Sequence, residues 1–454
     1  MRNLALIFLS YRKGIENYMK NHTLFRDYTK YASLNVLGML GLSCYILADT
    51  FFISNGLGTN GLTALNLAIP IYSFIHGSGL MLGMGGATKY AIAKSQEKPH
   101  AANRIFTNTI ILGAAFALFF MLLGIFFSQT ITTLLGANEQ VFEMTNTYLK
   151  VILLFAPAFL MNDIFICFVR NDGAPGLSMT AMVTGSLSNI LLDYILIFPC
   201  GMGILGAVLA TGLTPIISMS ILAKHGLQKQ NEFHFIKIKP SLPLSLESIS
   251  LGFPSLITEV SSGVVMIVFN QIILGLHGNV GVAAYGVIAN LSLVVIAIYT
   301  GIAQGVQPLI SLAHGSGSNS DIRSLLRYAM ITMILVSATI YAPIYLFAEP
   351  ITIIFNSENN WLLQEIATRG LRLYFTAIPF AGFNIIIPVF FTSTERPLPA
   401  HVLSLLRGLI LIIPLAFLLA NLLGIVGVWL AFPAAEAIVA LLGIVLYWGM
   451  ARNI

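Results

Sequence analysis

Charged residues are scarce in this sequence, because Asp, Glu, Lys and Arg together make up only 9% of its 454 residues. A soluble domain ordinarily carries roughly 25% charged residues, which keep its surface hydrated. Here 57% of the residues are hydrophobic. This balance excludes a soluble globular protein and predicts an integral membrane protein whose main solvent is the lipid bilayer.

Cysteine is scarce as well, and the 3 cysteines, Cys44, Cys167 and Cys200, show no CxxC spacing. They therefore predict neither a disulfide framework nor a zinc site. The 8 histidines are scattered, and the sequence contains neither an HExxH motif nor a GxSxG motif in an apolar run. An intramembrane enzyme is therefore only a remote alternative. We expect no catalytic residues, no cofactor and no nucleic-acid partner.

Long apolar runs are abundant, and each is close to the roughly 20 residues that a helix needs to cross a bilayer. The runs are continuous instead of alternating between apolar and polar residues, which favours helices over a membrane β-barrel. The longest polar stretch, 224–246, is too short to fold as a separate domain. We predict an all-α integral membrane fold with twelve transmembrane helices. They lie near 31–55, 62–88, 104–127, 148–170, 177–199, 204–223, 246–276, 282–313, 325–347, 369–394, 400–421 and 424–448.

The distribution of Lys and Arg between alternate loops predicts the orientation of the chain. One set of segments holds most of the 23 Lys and Arg residues, whereas the opposite loops hold only Lys150, Arg369 and Arg372. We therefore expect both termini in the cytoplasm and a multi-pass protein of the cell inner (cytoplasmic) membrane. Residues 1–28 are expected to form a cytoplasmic leader, and the sequence leaves open whether the chain starts at Met1 or at Met19.

The sequence contains an internal repeat whose two copies lie roughly 220 residues apart. LGTNGLTAL at 57–65 recurs as HGNVGVAAY at 277–285, and GILG at 203–206 recurs as GIVG at 424–427. Each copy holds six predicted helices, an even number, so the copies cross the membrane in the same sense with a central cleft between them. We predict a leader at 1–28, a first lobe at 29–223, a cytoplasmic linker at 224–245 and a second lobe at 246–454.

Ionisable side chains inside the predicted spans are candidates for function, because each costs a few kcal/mol to insert. They are Asp49, Asp163, Asp193, Glu259 and Glu436, together with one base, Arg407. The acids outnumber the base, so ion pairs alone cannot neutralise them. A carboxylate shielded from water can exchange a proton or hold Na⁺, which suits a cation-coupled secondary transporter.

The placement of these residues leaves structural alternatives open. Asn189 and Asp193 are four residues apart and share one helix face, where they could bind a cation or clamp neighbouring helices. Asp163 lies near Arg170, so a helix-end ion pair is an equal alternative to a role in transport. Arg407 and Glu436 could simply form a structural ion pair with each other.

Five short stretches together resemble one transporter family. They are RNDGAP at 170–175, NILLD at 189–193, DTFF at 49–52, GIAQGVQP at 301–308 and GIVGVW at 424–429. With the duplication, they make the chain similar to the multidrug and toxic compound extrusion (MATE) family from about residue 28 to 450. The resemblance implies export of diverse, often cationic compounds, driven by entry of Na⁺ or H⁺.

The same resemblance implies roles for particular residues. Asp49, Asn189, Asp193 and Thr211 match a cation-coupling site in the first lobe, which is the one place where we expect a metal ion, Na⁺. Glu259 resembles an acid of the seventh helix that other members use, and it forms, with Asp163 and Gln307, a candidate substrate or secondary proton site. The first helix has Leu34 where many relatives carry a kinking proline, so its bending during transport is left open.

A lipid-linked oligosaccharide flippase of the same wider superfamily is the main alternative function. It would need several Arg or Lys residues in its cleft to bind pyrophosphate, and only Arg407 is available. We therefore expect a monomeric antiporter that contacts the bilayer and small organic cations or amphipathic drugs. The residues do not distinguish Na⁺ from H⁺ or identify the physiological substrate.

Overall fold

The computed structural model describes residues 2–356 and 360–451, and it describes side chains for residues 22–356 and 360–449. Within these ranges the chain is helical almost throughout and contains no strand. The expected leader falls largely among residues whose side chains lie outside the description. The helices are α1 (Arg2–Ser95), α2 (Pro99–Leu134), α3 (Phe142–Leu154), α4 (Ala156–Asn171), α5 (Pro175–Ile197), α6 (Gly203–Leu227), α7 (Leu242–Gly315), α8 (Asn319–Leu346), α9 (Ala348–Phe355), α10 (Trp361–Tyr374), α11 (Ile378–Ser393), α12 (Pro397–Leu405), α13 (Ile412–Leu423) and α14 (Ile425–Ala451).

The apolar helices of the described residues give ten membrane-crossing units, counting the bent pair α3 and α4 as one. Two units, His22–Ser95 in α1 and Leu242–Gly315 in α7, are 74 residues long. A straight helix of that length would far exceed a bilayer of roughly 30 Å. Each is broken near its middle, at Gly58 and Gly278, where the backbone leaves the helical region. The two breaks raise ten units to the predicted twelve spans.

The repeat is visible in the backbone as matching positions of positive φ. Gly58 has φ 66° and Gly278 has φ 59°, and both fall in a region that is essentially restricted to glycine. Gly203, with φ of 58°, begins α6, and Gly424, with φ of 60°, directly precedes α14. Because unusual φ values recur at the repeat spacing, the two copies share turn geometry as well as sequence pattern.

Three local features of the spans were not expected from the sequence. The fourth span is bent by 49° between α3 and α4, directly before Pro157, whose missing N–H weakens the helix there. The eleventh span contains a π-helical turn at Leu406–Ile410. The short helix α9 follows α8 and is too short to cross the membrane.

Two separate hydrophobic cores underlie the two lobes. One core is built from residues between Ile53 and Phe233, and the other from residues between Phe269 and Val439. Tyr28 and Ala32, from the start of α1, pack against the second core. The exact lobe and linker boundaries given above remain predictions.

The lobes meet most closely where α1 and α7 cross at glycine positions. A Cβ atom at Gly85 would overlap the carbonyl oxygen of Ser248, and one at Gly252 would overlap that of Met81. Such approach requires small residues, as in other membrane helix pairs. We call this region, formed by residues 81–95 of α1, the end of α4 and both ends of α7, the closed end.

Candidate functional site

A cavity of about 340 Å³ lies between the two lobes. This volume is in the range of sites for drug-sized molecules. Its wall combines aromatic and aliphatic side chains with hydroxyl groups and a few charges, a mixture that can hold varied amphipathic compounds. The polar and charged lining residues are Tyr45, Asp49, Thr50, Tyr72, Ser73, Tyr148, Thr211, Thr258, Glu259, Ser261, Ser262, Tyr285, Ser292, Tyr374, Ser404, Arg407 and Glu436.

Asp49 on α1 and Asp193 on α5 face each other at the first-lobe side of this cavity, close enough for their carboxyl groups to interact. Asp49 lines the cavity, whereas Asp193 and Asn189 are fully buried behind it. Both side-chain oxygens of Asp193, both polar atoms of Asn189 and Oδ1 of Asp49 lack a hydrogen-bond partner within the described chain. Buried polar groups are rarely left unpaired, so this cluster has free capacity for a proton or a cation.

Thr211 on α6 lines the same cavity as Asp49, and its hydroxyl donates to the carbonyl of Ala207 at 3.1 Å. A hydroxyl that donates in this way keeps its oxygen available as an acceptor. Carboxylate, amide and hydroxyl oxygens are the donors that hard cations prefer. The donor chemistry of Asp49, Asn189, Asp193 and Thr211 therefore fits Na⁺, and the two facing carboxyl groups also fit a shared proton.

Asp163 does not pair with Arg170, so that predicted alternative is wrong. Its Oδ2 lies 2.9 Å from Nδ1 of His76, and Glu259 of the second lobe is close enough to act electrostatically on His76. A Cβ at Gly79 would overlap Asp163, and one at Gly77 would crowd Glu259. His76 was not predicted from the sequence, because it lies 87 residues before Asp163. The run of small residues that follows His76 was the available signal.

Two tyrosines connect the acidic clusters. The hydroxyls of Tyr45 and Tyr72 lie 2.9 Å apart, and the Tyr72 ring stacks on the His76 ring with 5.9 Å between centroids. Tyr45 also lies within electrostatic range of both Asp49 and Asp163. The first lobe therefore holds two groups of titratable residues joined by a hydrogen-bonded tyrosine pair.

Arg170 is completely buried, no carboxylate among the described residues pairs with it, and it joins the lobes at the closed end. Its Nη1 donates to Oδ1 of Asn35 and to Oε1 of Gln304, each at 2.8 Å. Neutral amide acceptors across the lobe interface therefore hold this guanidinium, an arrangement that spacing along the sequence could not reveal.

Gln307 belongs to the same closed end and does not line the cavity. Its side chain accepts from Asn171 at 3.0 Å and donates to Thr88 at 2.9 Å and to Ser311 at 3.2 Å. Because these bonds occupy its amide, the structure gives Gln307 a place in lobe closure and away from the substrate space.

Two further ionic clusters reinforce the closed end. Asp172 is buried and accepts from Lys94 and His225, each at 2.8 Å. Lys89 of the first lobe contacts Glu247 and Glu395 of the second. The neighbouring His314, whose Nε2 lies 3.8 Å from Oε2 of Glu395, and the positive charge of Lys89 lower the pKa of Glu395. Asp172 lies inside the RNDGAP stretch, so the motif includes this residue, but the sequence did not identify its partners.

Arg407 and Glu436 are brought together on the second-lobe side of the cavity. Nε of Arg407 lies 2.7 Å from Oε1 of Glu436. The other carboxylate oxygen of Glu436 accepts from Nδ2 of Asn384 at 2.6 Å. Both Arg407 and Glu436 line the cavity, so their pairing is at once structural and accessible from the substrate space.

Comparison with known proteins places this geometry in context. The MatE family model matches residues 36–195 and 254–418, one segment in each lobe. The multidrug export protein MepA of Staphylococcus saprophyticus is 26% identical over 427 residues, which cover 93% of each chain. MepA of Staphylococcus aureus is 24% identical over 427 residues, again covering 93% of each chain.

Solved structures share the fold across nearly the whole chain. The crystal structure of a MATE protein in complex with MaL6 superposes with a TM-score of 0.88 at 23% identity, covering 94% of this chain and 95% of the other. An outward-facing multidrug resistance MATE family transporter superposes with a TM-score of 0.86 at 23% identity, with the same coverage. The two-lobed architecture is therefore that of solved membrane transporters.

Proposed function

This chain is a member of the MATE family of membrane transporters, and we propose that it exports organic cations and amphipathic compounds in exchange for Na⁺ or H⁺. The observation that carries the proposal is the cavity between the lobes beside unpartnered, buried acids of the first lobe. The MepA relatives are multidrug export proteins over a nearly full-length match. Such a cavity gives the substrate a site, and such acids give the coupling ion a site.

Asp49 is the residue through which we expect substrate and ion to compete. It lines the cavity and also faces Asp193, so it belongs to both sites. A cation or proton held among Asp49, Asn189, Asp193 and Thr211 neutralises the charge that would attract a cationic substrate. Each ligand therefore lowers the affinity of the other, which is the reciprocal coupling that exchange requires.

We propose that transport occurs by alternating access, and the way in which the two lobes meet supports this. The inter-lobe bonds of Arg170, Gln307 and Lys89 hold one end closed in this conformation. We propose that this end faces the cytoplasm, because the basic loops of the sequence lie on the same side. Opening there requires those bonds to separate while the lobes rock about the cavity.

We propose Glu259 with the His76 and Asp163 pair as a secondary proton site. Glu259 lines the cavity from the second lobe, while the other two lie behind it in the first lobe. A proton or substrate cation near Glu259 therefore alters the charge balance across the lobe interface. This role is separate from that of Asp193, which lies in the other titratable group.

Dye uptake into everted vesicles tests the function and the coupling site together. Under an imposed Na⁺ or H⁺ gradient, wild-type protein should accumulate a fluorescent organic cation. Asp193→Asn should abolish the gradient-driven uptake, because the amide neither titrates nor neutralises a bound cation.

Asp27→Asn is the matched control, because it makes the same chemical change at a side chain that is 42% exposed. It should leave uptake unchanged. Driven uptake that persists in folded Asp193→Asn protein would remove Asp193 from the coupling site. Absence of uptake by folded wild-type protein under both gradients would contradict the proposed export.

A further inference from the structure

Arg407 has N–H donors that its ion pair with Glu436 does not use. A guanidinium has five N–H donors in a planar fork. Among the residues that the structure describes, Nε of Arg407 alone is bonded, to Oε1 of Glu436. The two terminal amino groups have no hydrogen-bond partner in the part of the chain that the structure describes, and neither is sealed away from the cavity that Arg407 lines.

Glu436 engages only one edge of the guanidinium, through Nε. Arg–carboxylate pairs are frequently bidentate, with two parallel hydrogen bonds. Here the second oxygen of Glu436 is occupied by Nδ2 of Asn384, at 2.6 Å. Glu436 is 1% exposed and so is fixed in place. The pair therefore orients Arg407 from one edge and leaves its far edge open.

The backbone at Arg407 supports the same orientation. Arg407 lies in the π-helical turn Leu406–Ile410, and such turns occur frequently at functional sites because the extra residue re-aims side chains. The next residue, Gly408, packs directly against Ser261 of α7, two residues from Glu259. The turn thus places Arg407 in the wall of the cavity that also contains Glu259 and Asp49.

We propose that Arg407 is a substrate-recognition residue that binds the anionic group of amphoteric amphiphiles, which carry both an amine and a carboxylate. The inference rests on the proposed export function and specifies its substrate class. The carboxylate accepts two hydrogen bonds from the terminal amino groups of Arg407, and the amine is attracted by Glu259 and Asp49. Substrates of this class share a planar carboxylate that is attached to an apolar body of drug size.

A matched pair of ligands separates this recognition from general cation binding. A rhodamine with a free carboxylate and its methyl ester have the same cationic ring system, and only the free acid can accept from Arg407. Binding of each dye to purified protein is measured by fluorescence anisotropy without any ion gradient. The free acid should lose about tenfold or more in affinity when Arg407 is replaced, because hydrogen bonds to charged groups are strong.

Two variants keep the test independent of folding defects. Arg407→Gln together with Glu436→Gln removes both charges at once and leaves no unpaired buried carboxylate. Arg407→Lys keeps the charge and loses the fork, so it should weaken the free acid less. Both should weaken the free acid more than the methyl ester, whereas Glu259→Gln should weaken both dyes to a similar extent.

These binding measurements distinguish failure of this inference from failure of the proposed export function. Selective loss of the free acid in the double variant supports the inference, even if no gradient drives transport of either dye. Equal weakening of both dyes, an unchanged affinity for the free acid, or failure of wild-type protein to bind either dye would overturn it.

Discussion

At the scale of single residues, charge pairs were predictable only where both partners lie in neighbouring helices. Arg407 and Glu436 could be matched because they were the base and an acid of the last two spans. Asp163 could not, since its partner His76 lies two spans earlier. Chain proximity favoured Arg170 instead, yet Arg170 turns to amide groups of Asn35 and Gln304. Asp163 and Arg170 therefore each bond to residues on other helices, and not to each other, although they are close along the chain.

Replacing one of those amides tests the closing role of Arg170. Gln304→Glu converts an inter-lobe hydrogen bond from the charged guanidinium to a neutral amide into an ion pair, stronger by about 1 kcal/mol. The closed end should then open about fivefold less often, so dye transport should slow by a similar factor while the midpoint of thermal unfolding rises. Transport rates in vesicles and unfolding of purified protein measure the two effects.

Asn35→Asp is the control for this change. It offers Arg170 the same new charge at the same distance, 2.8 Å, but Asn35 and Arg170 both belong to the first copy of the repeat. It should raise thermal stability without slowing transport to the same extent. Equal slowing by both variants would show that Arg170 does not act through the contact between lobes.

At the scale of helices, hydropathy predicted which segments cross the membrane but not how they bend. The apolar runs anticipated every span, because burial in lipid depends on composition over about 20 residues. Pro157 marks a weak point beside the break at Phe155, but hydropathy does not give its 49° angle, and the π-helical turn at Leu406–Ile410 depends on packing that composition does not encode. Gly85 of the second span makes a close helix contact, with the backbone at Ser248.

Enlarging Gly85 should force the closed end apart. A methyl group there overlaps the backbone oxygen of Ser248, which cannot move aside as a side chain could. Ser311, which is fully buried at this end, can be replaced by cysteine after the exposed Cys44 and Cys200 are changed to alanine. In that background, Gly85→Ala should increase the rate of labelling by a polar maleimide several-fold.

Gly286→Ala provides the comparison, because it adds the same methyl group to α7 where no atom lies within 4 Å. It should leave the labelling rate unchanged. If Gly85→Ala is labelled as slowly as its parent, the glycine crossing does not determine closure.

At the scale of the whole molecule, the duplication was predictable and the conformation was not. Repeated motifs anticipated two copies in parallel, and the matching φ angles of Gly58 and Gly278 show that the turns repeat too. The copies nevertheless differ in chemistry, because the buried, unpartnered acids lie in the first lobe and Arg407 in the second. Which end closes depends on a balance between two states of the same sequence, and such a balance leaves no periodic signal.

The central claim is that substrate and ion movements are obligatorily linked through Asp49 and Asp193. Purified protein in proteoliposomes, given a dye gradient and no initial ion gradient, tests it most directly. As the dye moves down its gradient, Na⁺ or H⁺ should move in the opposite direction and so build up an ion gradient. Asp193→Asn should eliminate that ion movement. Equilibration of the dye with no movement of either ion would contradict the account and identify an uncoupled carrier.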